Sequence, residues 1–249
     1  MSTTQYSASF GSGLLIAKNN AAGAQQPVIF GALQDISLEF NGTNAELEGQ
    51  NQIALLVARA KLKISGKAKM GYLNGPIFNS LYFGTTSATG TTSVAYGEAA
   101  TIPASTPFTV TVANSADFVD DMGVVDAATG IPMTPVASAP TTGQYSFAAG
   151  VYTFAAADTG KAVQISYTYT NATGGSTIVV PNPLQGVQPE FQAIVSTGYN
   201  GQGIRYKLHH CVASKVTVPS QMAKFAISEF DFDVFAGADN TPLTIYTDG

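Results

Sequence analysis

The sequence has 249 residues with a formal net charge of −5, and 11% of them are charged whereas 45% are hydrophobic. Ordinary soluble proteins carry about 25% charged residues, so we expect much of this surface to be buried against other chains, unless neutral Thr, Ser and Asn side chains keep a β-protein soluble. One cysteine excludes an internal disulfide, and we find neither a basic, apolar leader nor about 18 consecutive apolar residues, so we expect a cytoplasmic protein without membrane helices.

The first elements are predicted to be strands near 5–18 and 28–40. In the second strand, apolar and polar residues alternate: Ile36, Leu38 and Phe40 against Asp35, Ser37 and Glu39. Alternate residues of a strand point to opposite faces, so this strand has an apolar face for the core and an acidic face. A loop that contains Asn41–Gly42 is predicted to follow.

A basic strand is predicted to follow and to extend to residue 70. Five of the 11 basic residues recur there at a period of two: Arg59, Lys61, Lys63, Lys67 and Lys69. We expect all five to project from one face. The opposite face should pack on the core through Leu62, Ile64, Ala68 and Met70.

One short helix is predicted over residues 75–83. Asn74 can cap its beginning, Pro76 suits the first turn, and Gly84 can end it. Ile77 and Leu81 lie four residues apart and therefore share one face.

The middle of the chain differs in charge from its flanks. Residues 84–183 hold one basic residue, Lys161, and six acidic ones, which gives 1 − 6 = −5, whereas the flanks hold ten of each sign. Short alternating strands and turn signals recur there at about the spacing of a small β-sandwich. We therefore expect a β-module over 90–175, inserted into a β-domain formed by 1–89 and 176–249.

Strands near 190–197, 203–218 and 224–235 complete the predicted outer domain. In the last strand, three apolar residues alternate with three acidic ones: Glu229, Asp231 and Asp233. The two acidic faces and the one basic face can neutralise each other within one sheet, or they can meet across subunits. Either arrangement sets strand register and rejects wrong neighbours.

Candidate chemical sites are few. His209 and Cys211 share a face if their segment is a strand, His210 points away, and the sequence has no further histidine to complete a metal site. Four aspartates could gather around calcium, but their spacing does not match an EF-hand loop: Asp117, Asp120, Asp121 and Asp126. We therefore predict no catalytic residues, no cofactor and no metal.

Several segments together resemble the major tail tube proteins of long-tailed (siphovirus-type) bacteriophages. They are FGALQDISLEF (30–40), LEGQNQIALLVARAKLKISGKAKM (47–70), FNSLYFG (78–84) and FAISEFDFDVFAG (225–237). The segment GQYSFAAGVYTFAAADTGKAVQISYTYT (143–170) is similar to a β-module found in phage structural proteins.

The resemblance implies an all-β fold, an antiparallel β-sandwich or barrel with one short helix. It also implies that subunits form hexameric rings, that rings stack into a tube, and that DNA passes through the tube during ejection without sequence-specific binding. The implied partners are copies of the chain and the tape-measure, tail terminator and distal tail proteins. The implied location is the virion tail, assembled in the host cytoplasm.

In this family a long loop between two N-terminal strands commonly contacts the next ring. The matching segment is the predicted loop from Asn41 to Ile53, and the implied contact residues are Asn41, Asn44, Glu46, Glu48, Gln50 and Gln52. The resemblance leaves open whether the inserted module decorates the outside or contributes to the tube wall.

Two other functions are compatible with the sequence. One is a different phage head or tail component, such as a tube terminator or a decoration protein, for which a stacking loop would be unnecessary. The other is a carbohydrate-binding or adhesive β-sandwich protein. That function usually requires export and exposed aromatic residues, and this chain has no tryptophan.

Overall fold

The computed structural model describes residues 10–21, 26–199 and 202–247. Its described part is mostly β-structure, with antiparallel sheets and little helix, so the predicted all-β class is confirmed. The chain forms two compact units, residues 1–87 with 178–249 (unit 1) and residues 88–177 (unit 2). These limits lie two residues from those expected for the inserted module.

Fifteen strands, one short helix and two 3₁₀ turns (Ser115–Asp117 and Ala156–Asp158) follow each other along the described chain. The first part contains β1 (Leu14–Asn19), β2 (Val28–Ile29), β3 (Leu33–Leu47), β4 (Leu56–Met70) and the helix α1 (Ile77–Tyr82). The middle part contains β5 (Ser87–Thr101), β6 (Thr109–Thr111), β7 (Phe118–Asp126), β8 (Thr134–Pro135), β9 (Gln144–Ala148), β10 (Val151–Phe154) and β11 (Ala162–Ile178). The last part contains β12 (Glu190–Tyr199), β13 (Gln202–Thr217), β14 (Ser228–Val234) and β15 (Leu243–Thr247).

Unit 1 is built on one eight-stranded sheet, in the order β2-β1-β12-β13-β14-β4-β3, with β15 paired to β13. Distant strands of this sheet contribute to one core, because the ring of Phe30, which follows β2, lies 5.3 Å from the ring of Phe230 on β14. The helix α1 packs on the same core through Ile77 and Leu81, which are fully buried.

The helix begins and ends as its sequence predicts. The backbone N–H of Ile77 donates to Oδ1 of Asn74 at 3.3 Å, and Gly84 adopts a positive φ of 64° just after the helix. The N–H of Phe83 donates to the carbonyl of Phe78, five residues earlier, and the helix Ile77–Tyr82 is of the π type.

The core face of β4 agrees with the predicted alternation over only part of its length. Ile64, Ala68 and Met70 are buried, but the side chain of Leu62 is 52% exposed, so its predicted core position is wrong. The reason is the length of the hairpin. β3 and β4 continue as a two-stranded ribbon past Ile64, where both faces are exposed.

The predicted loop from Asn41 to Ile53 is also wrong over its first half. Residues 41–47 continue β3 and pair with β4 from Asn41 opposite Lys63 to Leu47 opposite Leu56, with one shift of register between residues 43 and 44. Residues 48–55 form the turn. The paired backbones satisfy their own hydrogen bonds whatever the side chains are. With no core against either face, the ribbon needs no apolar alternation, and its polar sequence resembles a loop.

Unit 2 contains two sheets, β6-β10-β9-β8 and β5-β11-β7. The β6–β10, β9–β10 and β7–β11 pairs are antiparallel, and the short β8–β9 pair is parallel. Its core is formed by aliphatic and aromatic side chains, which include Ile102, Val124, Tyr145, Tyr152, Phe154, Ile165 and Tyr167.

Candidate assembly surface

The outward face of the unit 1 sheet carries alternating strips of charge. β4 lies between β3 and β14, so Lys69 is opposite both Asp35 and Glu229, and Lys67 is opposite Asp231. The two acidic faces and the basic face therefore lie side by side in one sheet. We call the following residues the charge ladder: Asp35, Glu39, Lys61, Lys63, Lys67, Lys69, Glu229, Asp231 and Asp233.

Three lysines of the charge ladder form ion pairs within the chain. The distances are 3.1 Å from Lys63 Nζ to Asp233 Oδ1, 2.9 Å from Lys67 Nζ to Glu229 Oε2 and 4.0 Å from Lys69 Nζ to Asp35 Oδ2. The hydrogen bond raises the pKa of Lys67 and lowers the pKa of Glu229. Such water-exposed pairs stabilise a fold little. Their main effect is to match the neighbouring strands and fix their register.

Arg59 does not belong to the charge ladder, contrary to the prediction from its spacing. β4 has a bulge at Ala60, because Lys61 is opposite Thr43 whereas Arg59 is opposite Asn44. The extra residue turns Arg59 to the other face of the ribbon. There its Nε lies close to Gly42.

The end of the β3–β4 hairpin, residues 47–57, exposes many apolar side chains, and we call it the hairpin tip. Ile53 is 81% exposed, and the other exposed apolar residues of the tip are Leu47, Leu55, Leu56 and Val57. All the contact residues implied by the family resemblance are exposed along the ribbon and tip: Asn41, Asn44, Glu46, Glu48, Gln50 and Gln52. A contiguous exposed apolar segment of this kind is typical of an interaction site.

The loop between β13 and β14, residues 218–227, is a second exposed apolar segment of unit 1. Met222 and Phe225 are each 97% exposed, and Lys224 between them is exposed as well. The sequence analysis did not single out this loop. Its signal is the pair of large apolar residues in a turn, where polar residues are the rule.

The His209–Cys211 tripeptide has structural partners. Cys211 is fully buried, which raises the pKa of its thiol, and Nε2 of His209 lies 2.9 Å from Oγ1 of Thr244. Within the part of the chain that the structure describes, no group of three or more potential ligands could hold a metal ion.

His210 is held between two carboxylates. Its Nδ1 bonds Oε1 of Glu190, and its Nε2 lies 2.9 Å from Oδ1 of Asp239. The bond to Glu190 is the main cause that raises the pKa of His210, and the same bond lowers the pKa of Glu190. Sequence reasoning missed this cluster, since its members lie 20 and 29 residues apart and no local pattern joins them.

We predict that this cluster stabilises unit 1 mainly in mildly acidic solution. A raised histidine pKa stabilises the fold below the ordinary value of 6.5, and that contribution is lost as pH rises through the raised value. The lowered pKa of Glu190 stabilises the fold above its ordinary value of 4.5. The melting temperature of His210→Gln should therefore fall furthest below wild type between these two values, and the difference should shrink towards alkaline pH.

The matched control is His209→Gln, because His209 bonds a hydroxyl and not a carboxylate. Melting curves of the three proteins across the pH range test the prediction. An equal deficit of His210→Gln at acidic and alkaline pH contradicts it.

Two of the aspartates considered for calcium, Asp121 and Asp126, bond groups within unit 2 instead. Asp121 accepts the hydroxyls of Tyr145 at 2.6 Å and Tyr152 at 2.8 Å. Oδ1 of Asp126 accepts the backbone N–H groups of residues 128 and 129, and these bonds lower the pKa of Asp126. Asp158 is fully buried and bonds the backbone of residue 143 and the side chain of residue 161. Several acidic side chains of the module thus accept hydrogen bonds within unit 2.

Comparison of the sequence with protein-family models and with curated proteins gave no match. In the described ranges, no helix is long and apolar enough to cross a membrane. The fold and the surface define an all-β, two-unit protein with a neutralised charged face and a long, apolar-tipped hairpin.

Proposed function

We propose that the chain is a structural subunit of the tail tube of a long-tailed bacteriophage. In this proposal, copies assemble into hexameric rings, the rings stack into a tube, and the tube conducts DNA during ejection. The tape-measure, terminator and distal tail proteins are its further partners in the virion. The resemblance of four segments of unit 1 to tail tube proteins motivates the assignment.

The observation that carries the proposal is the hairpin formed by β3 and β4. Each strand has 15 residues, and the end of the ribbon bears exposed aliphatic side chains outside the core. An isolated subunit gains nothing from presenting such a surface to water. Contact with another copy would bury it, which favours a self-assembling subunit over a terminator or a decoration protein.

The charged residues fit a structural role better than a catalytic one. The histidines bond residues that fix strands and turns, and three carboxylates of the charge ladder pair with its lysines. Lysines already paired offer DNA phosphates little uncompensated charge. That property suits a conduit along which DNA must slide.

The proposal predicts concentration-dependent assembly that requires the hairpin tip. Wild-type protein, imaged by negative-stain electron microscopy at several concentrations, should form rings and tubes. The double variant Leu55→Asp/Leu56→Asp should remain folded, because both side chains are exposed, but should form no tubes.

The matched control is Val94→Asp/Tyr96→Asp, which places the same two charges on exposed residues of unit 2. It should assemble as wild type does. Wild-type protein that stays monomeric at every concentration, or tubes of Leu55→Asp/Leu56→Asp, would count against the proposal.

A further inference from the structure

Two exposed apolar segments of unit 1 lie at opposite ends of the same strands. The hairpin tip joins β3 to β4 where Leu47 is opposite Leu56. The β13–β14 loop leads into β14 at Ser228, which is opposite Met70 at the other end of β4. Fourteen steps along β4, at about 3.3 Å each, separate these ends by about 46 Å.

This separation prevents the two segments from covering each other within one chain. Each of them therefore needs a different molecule to bury its apolar side chains. The side chains with the most apolar surface left uncovered are Met222 and Phe225, which are each 97% exposed. When two different surfaces of identical subunits meet, the contact is head to tail, and it either closes into a ring or repeats along an axis. Because these two surfaces lie at opposite ends of the same strands, we expect the contact to repeat along an axis.

The chemistry of the two segments is complementary. The one charged residue of the hairpin tip is Glu48, which is acidic, whereas the one charged residue within 218–227 is Lys224, which is basic. Both segments surround these charges with large apolar side chains. Interfaces commonly place apolar contacts at their centre and opposite charges at the rim, where the charges select the partner.

We propose that the hairpin tip of one copy docks on the β13–β14 loop of the next copy along the tube. Glu48 lies beside Lys224 in this contact, and Ile53 and Leu55 pack on Met222 and Phe225. The unbranched, flexible Met222 side chain adapts to the aliphatic tip. The inference rests on the proposed stacking and identifies the surface that receives the hairpin.

One docked tip is a small contact, and the arrangement in rings makes it sufficient. Every subunit of a ring presents its tip in the same direction, so several contacts form together. Once one tip is bound, the others bind at a high effective concentration. Stacking is thus expected to be weak for a lone subunit and strong between rings.

Cysteine cross-linking tests the contact directly, because the single native cysteine, Cys211, is fully buried. The variants are Glu48→Cys, Lys224→Cys and the double variant, each oxidised after assembly and separated on denaturing gels. We expect a ladder of covalently linked chains for the double variant. A mixture of the two single variants should give dimers, and each single variant alone should remain monomeric.

Charge exchange provides an independent readout. Glu48→Lys should raise the concentration for half-maximal tube formation by about tenfold. Adding Lys224→Glu should restore it, since the pair is then reversed.

The outcomes separate this inference from the proposed function. If wild-type protein forms tubes but the mixed single variants give no dimers, the receiving surface is wrong and the tail tube assignment stands. Dimers of Glu48→Cys alone indicate tip-to-tip contact and also overturn the inference. If wild-type protein forms no assembly at all, both fail.

Discussion

Gly66→Val is expected to lower the free energy of unfolding of unit 1 by about 3–5 kcal/mol, comparable to the loss of a buried aromatic side chain. Gly66 lies on β4 opposite Phe232 of β14, and the Phe232 ring covers the place where a side chain at Gly66 would be. Phe232 is itself 1% exposed. A valine must therefore push this ring out of a close-packed core.

Chemical denaturation of Gly66→Val and of Ser65→Val measures the effect. Ser65 is the neighbour on the outward face, between residues 39 and 233, so a β-branched side chain there should cost little. A double-mutant cycle adds the reason: in a Phe232→Ala background, Gly66→Val should cost much less, because the space is empty. An equal cost in both backgrounds contradicts the proposed clash.

The short-range patterns of the sequence predicted the elements that touch the core. Alternation placed Ile64, Ala68 and Met70 on the buried face of β4, and the spacing of Ile77 and Leu81 placed the helix on the core. These predictions succeed because burial selects residue types at the period of the backbone. The change in charge along the chain falls close to the limits of the two units, and each unit has its own core.

Features that depend on backbone pairing without burial were not predictable in this way. The bulge at Ala60 reverses the face of Arg59, and nothing in the alternation of charges indicates an extra residue. The continuation of β3 through Asn41 to Leu47 is stabilised by its ladder with β4, not by a core. Alternation of apolar and polar residues arises because one face is buried, so the sequence shows no such pattern where both faces of a ribbon are exposed to water.

Hydrogen bonds between distant residues were likewise beyond the sequence. Glu190, His210 and Asp239 meet only because β12, β13 and the turn before β15 are neighbours in the folded sheet. Asp121 was considered for calcium because carboxylates at short spacing suggest a cation. The structure gives it two tyrosine hydroxyls from other strands instead.

The second prediction of a large effect concerns the hydrogen bonds of Asp121 with Tyr145 and Tyr152. Asp121→Ala is expected to destabilise unit 2 by about 2–6 kcal/mol, because two buried hydroxyls lose their acceptor at about 1–3 kcal/mol each. Tyr145 and Tyr152 are at most 1% exposed, whereas Asp121 is half-buried, so water that enters its place offsets part of this cost. Their burial also raises the pKa of both hydroxyls, which therefore stay protonated donors.

Hydrogen exchange measured on individual peptides reports the stability of the two units separately in one experiment. In Asp121→Ala, amides of residues 88–177 should lose protection, while those of unit 1 should keep it, because the two cores are distinct. Removing the donors as well, with Tyr145→Phe and Tyr152→Phe, should restore most of the lost stability, since no buried polar group is then left without a partner. If the triple variant is as unstable as Asp121→Ala, the cost comes from lost packing at Asp121 and not from the two hydroxyls.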